Sequence, residues 1–340
     1  MASRPVRVVI TSDRFFNTGT TVEDAVAEGF PDLAVDVATV LAPDDETMIA
    51  VARGADAIVT ASIDAVPRRV IEALPDLRVI GRYAVGYDNI DLEAAHERGI
   101  VITHYPGYCT DEVADHALSL VLALNRRLFP SDRRLREGKW VGHNLETAYV
   151  AGGEILPLSA LTIGVIGYGR IGQAVVARLR PFGCRILVAD PAHDPEWVRS
   201  HGIEPVALET LLASSDIVTI HCPLTPGTRH LIGADELRAM RRGAMLVNTA
   251  RGPIVDGSAL TAALVDGQIG SAALDVMERE PVAPDDPLLL APNLIVTPHS
   301  AYYSERSMEV LRRETYVDVL SILAGGSART VVSPSLVPTS

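Results

Sequence analysis

The sequence predicts an α/β fold built from two doubly wound domains, on two observations. Short apolar segments alternate with segments of helical periodicity over the first hundred residues and again after residue 160, and such alternation is typical of parallel sheets covered by helices on both faces. In the second run, a glycine-rich turn at residues 167–172 joins an apolar segment to a helical one. That turn predicts a Rossmann domain, and the first run, which lacks one, predicts a flavodoxin-like domain.

The first run predicts strands and helices in strict alternation. The strands are expected at Val6–Ile10, Ala34–Val40, Asp56–Ala61, Leu77–Arg82 and Ile100–Thr103. The helices are expected at Val22–Gly29, Thr47–Arg53, Arg68–Leu74 and Leu92–Arg98. Pro67 and Asp91 suit the starts of the last two helices, as an N1 proline and an N-cap.

The second run repeats the alternation after a long helix. That helix is expected from residue 110 and should continue past Pro130 to Arg136. The later strands are expected at Leu161–Ile166, Arg185–Ala189, Asp216–Ile220, Ala244–Val247, Ser271–Val276 and Leu294–Thr297. The later helices are expected between residues 171 and 179 and at Leu208–Ala213, Ala234–Met240 and Gly257–Asp266.

A length of 340 residues fits two domains of ~150 residues each. We expect residues 1–103, completed by a helix at about 304–325, to form a substrate domain into which a cofactor domain at 104–303 is inserted. A mobile tail should follow at 326–340. The segment from about 111 to 150 contains a basic run and ends without periodicity, with Trp140 and Tyr149 exposed; such long loops often serve interfaces, so a subunit contact is expected there.

The glycine turn and the acid that follows it form a dinucleotide-binding fingerprint. Gly167 permits the tight turn, Gly169 allows close approach of a pyrophosphate, and Gly172 lets the helix pack against the strand. Asp190, at the end of the next strand, can bind a ribose diol and suits NAD rather than NADP. The alternative is a tightly packed strand–helix–strand unit without a ligand.

Composition and charge exclude several classes of protein. A net charge of −13 and an isoelectric point near 5.1 argue against nucleic acid or an anionic membrane as partner. Three cysteines without a C-x-x-C pair predict neither disulfides nor a metal site. The first residues show no secretory signal, and the longest apolar stretch, residues 117–124, is far below the ~18 residues that span a bilayer. We therefore expect a cytoplasmic protein.

Three predicted strands of the second run end near residues that can bind a substrate or transfer a proton: Arg251, Glu280 and His299. Taken singly, a surface arginine, a loop carboxylate and a core histidine are the ordinary alternatives. In doubly wound sheets, however, ligands bind at the carboxyl ends of the strands. Their shared position beside a nucleotide fingerprint therefore favours an active site.

The residue types suit the reduction of a 2-oxo acid by a nicotinamide cofactor, which supplies the hydride. Arg251 can direct two N–H groups at the substrate carboxylate and carbonyl. His299 can give or take the proton, and Glu280 can hold the other ring nitrogen. Asp275 is placed to contact the nicotinamide amide.

Five motifs in order carry a resemblance to a known family. They are VGYDNID at 85–91, GxGxxG followed by Asp190, VNTARG at 247–252, LDVxExEP at 274–281 and TPH at 297–299. The chain resembles the D-isomer-specific 2-hydroxyacid dehydrogenases, and APNLIVTPHSAYYSE and RHLIGADELRAMRRGAMLVNTARG are most similar to the branch of the C-terminal-binding proteins. The resemblance implies Arg251, Glu280 and His299 as the catalytic set, the N–H groups of Val85 and Gly86 as carboxylate binders, and a homodimer formed through residues 111–150.

The predicted ligand contacts fall into two groups. The predicted NAD contacts are Gly167, Tyr168, Gly169, Arg170, Ile171, Gly172, Asp190, His221, Cys222, Pro223, Thr228, Thr249, Ala250, Asp275 and His299. The predicted substrate contacts are Arg82, Val85, Gly86, Arg251 and Tyr302.

The substrate cannot be carried over from the branch, because Tyr302 stands where Trp is typical and His104 where Asn is typical. Polar groups at Arg82, His104, Tyr302 and Tyr303 favour a short 2-oxo acid with a polar or anionic far end, such as hydroxypyruvate or a dicarboxylate analogue. For Arg82 the alternative is a structural ion pair. The alternative function is an NAD(H)-sensing, corepressor-like dimer with little turnover.

Overall fold

The computed structural model describes residues 4–11, 21–42, 44–139 and 155–332. The chain forms two compact units, one of residues 1–109 with 303–340 and the other of residues 110–302. The sequence placed the boundaries after residues 103 and 303. The structure keeps residues 104–109 with the first unit because the second begins with a helix whose first residue is Thr110.

The first unit contains a parallel sheet of five strands in the order β2-β1-β3-β4-β5, which is the flavodoxin-like order. The strands are β1 (Val6–Ile10), β2 (Val35–Thr39), β3 (Ala57–Ala61), β4 (Val79–Tyr83) and β5 (Val101–Thr103). The helices between them are α1 (Val22–Gly29), α2 (Asp45–Val51), α3 (Arg68–Ala73) and α4 (Leu92–Glu97). The chain returns to this unit through α12 (Glu305–Leu323).

The central strands of this sheet are buried along their whole length because helices cover both faces. Every residue of β3 and β4 is buried. A Cβ at Gly81 in β4 would lie 2.6 Å from Cγ2 of Val319 in α12. The glycine therefore lets α12 pack directly on the sheet, which ties the C-terminal helix to the domain that the first hundred residues begin.

The second unit contains a parallel sheet of seven strands in the order β12-β11-β10-β9-β6-β7-β8. The strands are β6 (Thr162–Ile166), β7 (Arg185–Ala189), β8 (Glu204–Pro205), β9 (Ile217–Ile220), β10 (Ala244–Asn248), β11 (Ile269–Leu274) and β12 (Leu294–Val296). The helices are α5 (Thr110–Asn125), α6 (Leu128–Arg136), α7 (Arg170–Leu179), α8 (Pro195–Ser200), α9 (Leu208–Ser214), α10 (Ala234–Ala239) and α11 (Gly257–Val265). Because the order reverses at β6, its carboxyl end is the switch point at which such sheets bind ligands.

The two faces of this sheet carry separate cores. One core gathers side chains of α5 and α7, and the other gathers those of α9, α10 and α11. Along β6, Ile163 and Val165 belong to the first core and Ile166 to the second, as the alternation of side chains along a strand requires. The carboxyl ends of all seven strands therefore meet at one edge, away from both cores.

Two sequence predictions are wrong in detail, and two short elements were missed. The helix predicted to run past Pro130 is broken: α5 ends at Asn125 and Arg127, with φ 52°, separates it from α6. The start of the predicted mobile tail is ordered, because Val332 is buried and its N–H donates to the carbonyl of Ile102. The sequence also missed β8 and α8, which are too short to show periodicity. Trp140, Tyr149 and residues 333–340 lie outside the described residues.

Candidate active site

The glycine turn after β6 has the geometry that a pyrophosphate needs. Gly167 has φ 91°, and a Cβ there would lie 2.6 Å from the backbone nitrogen of Cys222. A Cβ at Gly172 would lie 2.1 Å from the carbonyl oxygen of Gly167, whereas a Cβ at Gly169 would meet nothing within 4 Å. Gly169 is the N-cap of α7, and no side chain caps that helix. The first N–H groups of α7 are therefore available to an anion.

Asp190 lies at the end of β7 and is fixed there by the backbone. Its Oδ2 accepts a hydrogen bond of 2.6 Å from the N–H of Tyr168, and its Oδ1 accepts one of 2.8 Å from the N–H of Ala192. The first bond links the acid to the glycine turn itself. The residues present thus fit a dinucleotide, with the turn for its pyrophosphate and Asp190 for its adenosine ribose.

The two residues that follow β9, His221 and Cys222, have side chains whose charge is suppressed by burial. Nε2 of His221 lies within hydrogen-bond distance, 2.9 Å, of the Thr219 hydroxyl, and burial lowers the pKa of His221 to about 3. Burial raises the pKa of the Cys222 thiol to about 11. Both side chains are therefore uncharged near neutral pH, so this wall of the predicted cofactor site carries no charge of its own.

Two threonines predicted to contact the cofactor differ in whether their hydroxyl groups are already hydrogen-bonded within the protein. The Thr228 hydroxyl donates to the carbonyl of Pro223 over 2.7 Å and accepts from the N–H of Thr225, so it closes a turn. The Thr249 hydroxyl, after β10, is buried and has no hydrogen-bond partner within the described residues. A buried hydroxyl without a partner is costly; Thr249 is thus the better positioned of the two to bond a ligand.

The turn after β12 brings His299 against Glu280. His299 Nδ1 lies 2.6 Å from Glu280 Oε2, and the other carboxylate oxygen accepts the N–H of Met277 over 2.8 Å. His299 adopts φ 51°, an uncommon conformation for a residue with a side chain. Two hydrogen bonds from its N–H, to the carbonyls of Asp275 and Thr297, hold it there. Within the described residues, Nε2 of His299 makes no hydrogen bond.

The charge of Glu280 is maintained by its neighbours. Desolvation alone would raise the pKa of this carboxyl, but the hydrogen bond and charge of His299, the Met277 N–H and the charge of Arg251 together hold the pKa below 4.5. Glu280 is therefore ionised across the neutral range and favours the protonated form of His299.

Arg251 is placed by a turn that packs closely on the same segment. The side chain of Asn248 binds both the carbonyl of Arg251 and the N–H of Ala250, at 2.8 and 3.0 Å. A Cβ at Gly252 would lie 1.9 Å from the carbonyl oxygen of Met277. Glycine is therefore required for the Arg251 turn to contact the Glu280 segment, and the predicted triad comes together within the second unit.

Asp275 organises the His299 turn. Its two carboxylate oxygens accept the Thr297 hydroxyl at 2.6 Å and the N–H groups of Ser300 and Ala301, both at 2.9 Å. The sequence missed His116 of α5, whose Nε2 lies 3.0 Å from the same Thr297 hydroxyl. A histidine next to the apolar face of a buried helix was the only signal available. The predicted contact of Asp275 with the nicotinamide stays a prediction.

The structure corrects the prediction that Arg82, in β4, contacts the substrate. Its side chain is 1% exposed and donates to the carbonyls of Ser62, Asp64 and Gly86 at 3.0, 3.0 and 3.2 Å, and also to the Ala61 carbonyl. These acceptors, together with Thr60 and Asn89, occupy the guanidinium inside the first unit. The predicted substrate contact is therefore not supported; most of the acceptors of Arg82 are carbonyls, and its charge also acts on the carboxylate of Asp64.

Three of the other predicted substrate contacts, Val85, Gly86 and Tyr302, lie in turns that follow strands. Val85 and Gly86 follow β4, and within the described residues their N–H groups donate no hydrogen bond. His104 holds this turn, since its Nδ1 lies 2.9 Å from the carbonyl of Val85. In the second unit, the ring of Tyr302 meets that of His299 edge-on, with centroids 6.1 Å apart.

Comparison with known proteins identifies the family. The model of the NAD-binding domain of D-isomer specific 2-hydroxyacid dehydrogenases matches residues 118–301, and a glyoxylate reductase of Korarchaeum cryptofilum is 40% identical over 87% of this chain and 88% of its own. The chain belongs to that family. It is an NAD-dependent 2-hydroxyacid dehydrogenase.

Two further relatives of this 2-hydroxyacid dehydrogenase show the range of the family. A D-3-phosphoglycerate dehydrogenase of Archaeoglobus fulgidus is 40% identical over 83% of this chain, which spans about half (52%) of that relative. The structure of a D-lactate dehydrogenase from Aquifex aeolicus, complexed with NAD and lactic acid, has a TM-score of 0.79 and 29% identity, covering 94% of this chain and 96% of its own.

The likeness to the C-terminal-binding-protein branch stays a prediction. In the part of the chain that the structure describes, no helix is long and apolar enough to cross a membrane.

Proposed function

We propose that this dehydrogenase reduces a short 2-oxo acid, of the size of glyoxylate or hydroxypyruvate, to the D-2-hydroxy acid, and catalyses the reverse reaction. The observation that carries the proposal is the His299–Glu280 pair, joined at 2.6 Å through Nδ1. An imidazole held at one nitrogen by an ionised carboxylate presents its other nitrogen as an acid or base of fixed direction.

Each residue of the proposed catalytic set has a distinct part. NADH, held by the glycine turn and Asp190, would supply the hydride for C2 of the 2-oxo acid. His299 donates the proton from Nε2 to the carbonyl oxygen, so that the C=O bond becomes a hydroxyl and the imidazole becomes neutral. Glu280 stabilises the imidazolium before that transfer. Arg251 binds the substrate carboxylate and polarises the carbonyl through its paired N–H groups.

The size of the substrate is inferred from the relatives and from Arg82. Glyoxylate reductase is the name of the Korarchaeum relative, and glyoxylate has no side chain beyond its carbonyl carbon. Since Arg82 is occupied by carbonyls of its own unit, it does not supply the cation that a dicarboxylate substrate would need. The proposed head-group contact, Arg251, suits any 2-oxo acid, so it does not by itself distinguish a short substrate from a long one.

The proposal is tested by NADH oxidation with glyoxylate, hydroxypyruvate, pyruvate, 2-oxoglutarate and a branched 2-oxo acid. We expect the highest kcat/KM with glyoxylate or hydroxypyruvate, and a D-configured product wherever C2 is a stereocentre. His299→Ala should abolish most turnover and retain NADH binding. His230→Ala, which removes an exposed histidine paired with Glu278, is the matched control. NADH binding without turnover of any of these acids would instead favour an NAD(H)-sensing protein.

We further propose a homodimer that uses the segment from about 111 to 150. Within it, α6 exposes three large apolar side chains, Leu128, Phe129 and Leu135, at 54%, 54% and 40%. Apolar groups of this size on one short helix favour burial against a partner. Light scattering should give twice the chain mass, and Phe129→Ser should raise the fraction of monomer; a monomeric wild type would contradict the proposal.

A further inference from the structure

A cavity of about 250 Å³ lies beside Asp190 at the carboxyl end of β7. Its polar lining consists of Asp190, His193 and Arg199, and its apolar lining includes Pro195 and Pro205. All of these residues belong to the second unit. The cavity thus adjoins the acid that the adenosine ribose would contact, on the side where α8 begins.

His193 is held against Asp190 by an aromatic stack. Its Nδ1 lies 3.1 Å from Asp190 Oδ2. Its ring stacks on Trp197 with centroids 5.0 Å apart and planes 23° apart, and it meets the ring of Tyr168 edge-on at 6.1 Å. The imidazole is therefore fixed in contact with the acid by groups from the glycine turn and from α8.

The net charge of the cavity beside Asp190 depends on His193, because the other charged side chains there are held by hydrogen bonds or ion pairs. The carboxylate of Asp190 is bound by two backbone N–H groups and cannot turn away. Across the cavity, Arg199 is paired with Glu196, and Asp194 caps α8 through its carboxylate. An imidazole changes its charge between pH 5 and 8. A neutral His193 leaves Asp190 as a bare anion, whereas a protonated His193 compensates it.

We propose that His193 is a specificity-determining residue for the cofactor, and that its protonation admits the 2′-phosphate of NADP(H) into this cavity. With neutral His193, the anion at Asp190 repels the phosphate and the site takes NAD(H). With protonated His193, the cavity presents that imidazolium to the phosphate. The inference rests on the proposed position of the cofactor, with its adenosine ribose at Asp190.

Calorimetric titration with NADH and NADPH at about pH 5.5 and about pH 8 tests the proposal. In the wild type, the ratio of the two dissociation constants, NADPH over NADH, should fall roughly tenfold or more from the higher pH to the lower. In His193→Gln that ratio should change less than about twofold. His201→Gln is the matched control, since His201 also contacts the ring of Trp197, at 4.4 Å between centroids, but lies outside the cavity lining.

The titration of the phosphate itself does not obscure the result. The 2′-phosphate loses charge toward low pH in the wild type and in both variants alike, so the effect of His193 is measured as the difference in pH dependence between the wild type and His193→Gln. Equal pH dependence of the ratio in the wild type and His193→Gln would overturn the inference. Failure of the wild type to bind NADH at all would instead overturn the proposed position of the cofactor.

Discussion

At the scale of single residues, the proposed chemistry depends on a pair whose members lie 19 residues apart in the chain and 2.6 Å apart in space. The carboxylate of Glu280 keeps its charge because hydrogen bonds and cations outweigh its desolvation. It therefore adds stability above its ordinary pKa near 4.5, and that contribution is lost as the pH falls through its lowered pKa.

Glu280→Gln should move the pH dependence of reduction. The amide retains a hydrogen bond but loses the negative charge that favours the imidazolium, so the pH at which reduction falls to half should decrease by roughly one unit or more. The profile of kcat/KM against pH measures this. Glu278→Gln, which alters a second carboxylate paired with a histidine, His230 at 2.6 Å, should leave the profile in place. An unshifted profile in Glu280→Gln would remove the pair from the mechanism.

Arg251→Lys tests whether the reaction needs the planar pair of N–H groups of Arg251 in addition to its positive charge. Lysine keeps the positive charge but loses the planar pair of N–H groups, so kcat/KM for the 2-oxo acid should fall by about 2–4 kcal/mol of transition-state stabilisation. Arg242→Lys serves as control, since Arg242 is exposed and donates only to the carbonyl of Asp266 among the described residues. Steady-state kinetics of Arg251→Lys that match those of the wild type would exclude Arg251 from the mechanism.

At the scale of elements, Arg82 connects the turns that follow β3 and β4. It binds the carbonyl of Ala61 at the end of β3, the carbonyls of residues 62 and 64 that follow, and the carbonyl of Gly86 after β4. The proposed carboxylate-binding turn at Val85 and Gly86 is therefore fixed by a buried guanidinium four residues away. Arg82 acts as a positioning residue in this arrangement.

Arg82→Lys should weaken both the fold and the turn. A single ammonium cannot serve every acceptor, so urea denaturation should show a loss of about 1–3 kcal/mol. The KM for the 2-oxo acid should rise more than the KM for NADH, and to the same extent with glyoxylate and hydroxypyruvate. Arg78→Lys, which changes a surface arginine at the other end of the same strand, is the control. A loss confined to hydroxypyruvate would restore Arg82 as a substrate contact.

At the scale of the whole molecule, binding of the cofactor should stabilise the chain. NADH at about 100 times its dissociation constant should add about 2.7 kcal/mol, which raises Tm by several degrees for a chain of this size. NADPH at the same concentration near pH 8 should raise Tm less, because Asp190 faces the 2′-phosphate. Thermal denaturation followed by circular dichroism measures both; equal shifts would contradict the NAD preference.

The sequence alone determined the fold class and the positions of the candidate site residues of the second unit at the ends of strands. Parallel strands buried on both faces produce continuous apolar runs, and the ligand edge of such a sheet follows each run directly, so Asp190, Arg251 and His299 could be placed at strand ends. The sequence pattern also identified two glycines of the turn at residues 167–172 that the backbone requires. At Gly167 and Gly172, turn geometry and close packing exclude a Cβ.

Only the tertiary structure decided what distant side chains do to one another. Arg82 follows the same pattern as the other strand-end cations, yet its acceptors are carbonyls of a turn about 20 residues earlier. His116 reaches Thr297 across 181 positions, and His193 meets Asp190 because Trp197 and Tyr168 hold its ring. Periodicity records which face of an element is buried; it carries no information about which polar partner the rest of the chain supplies there.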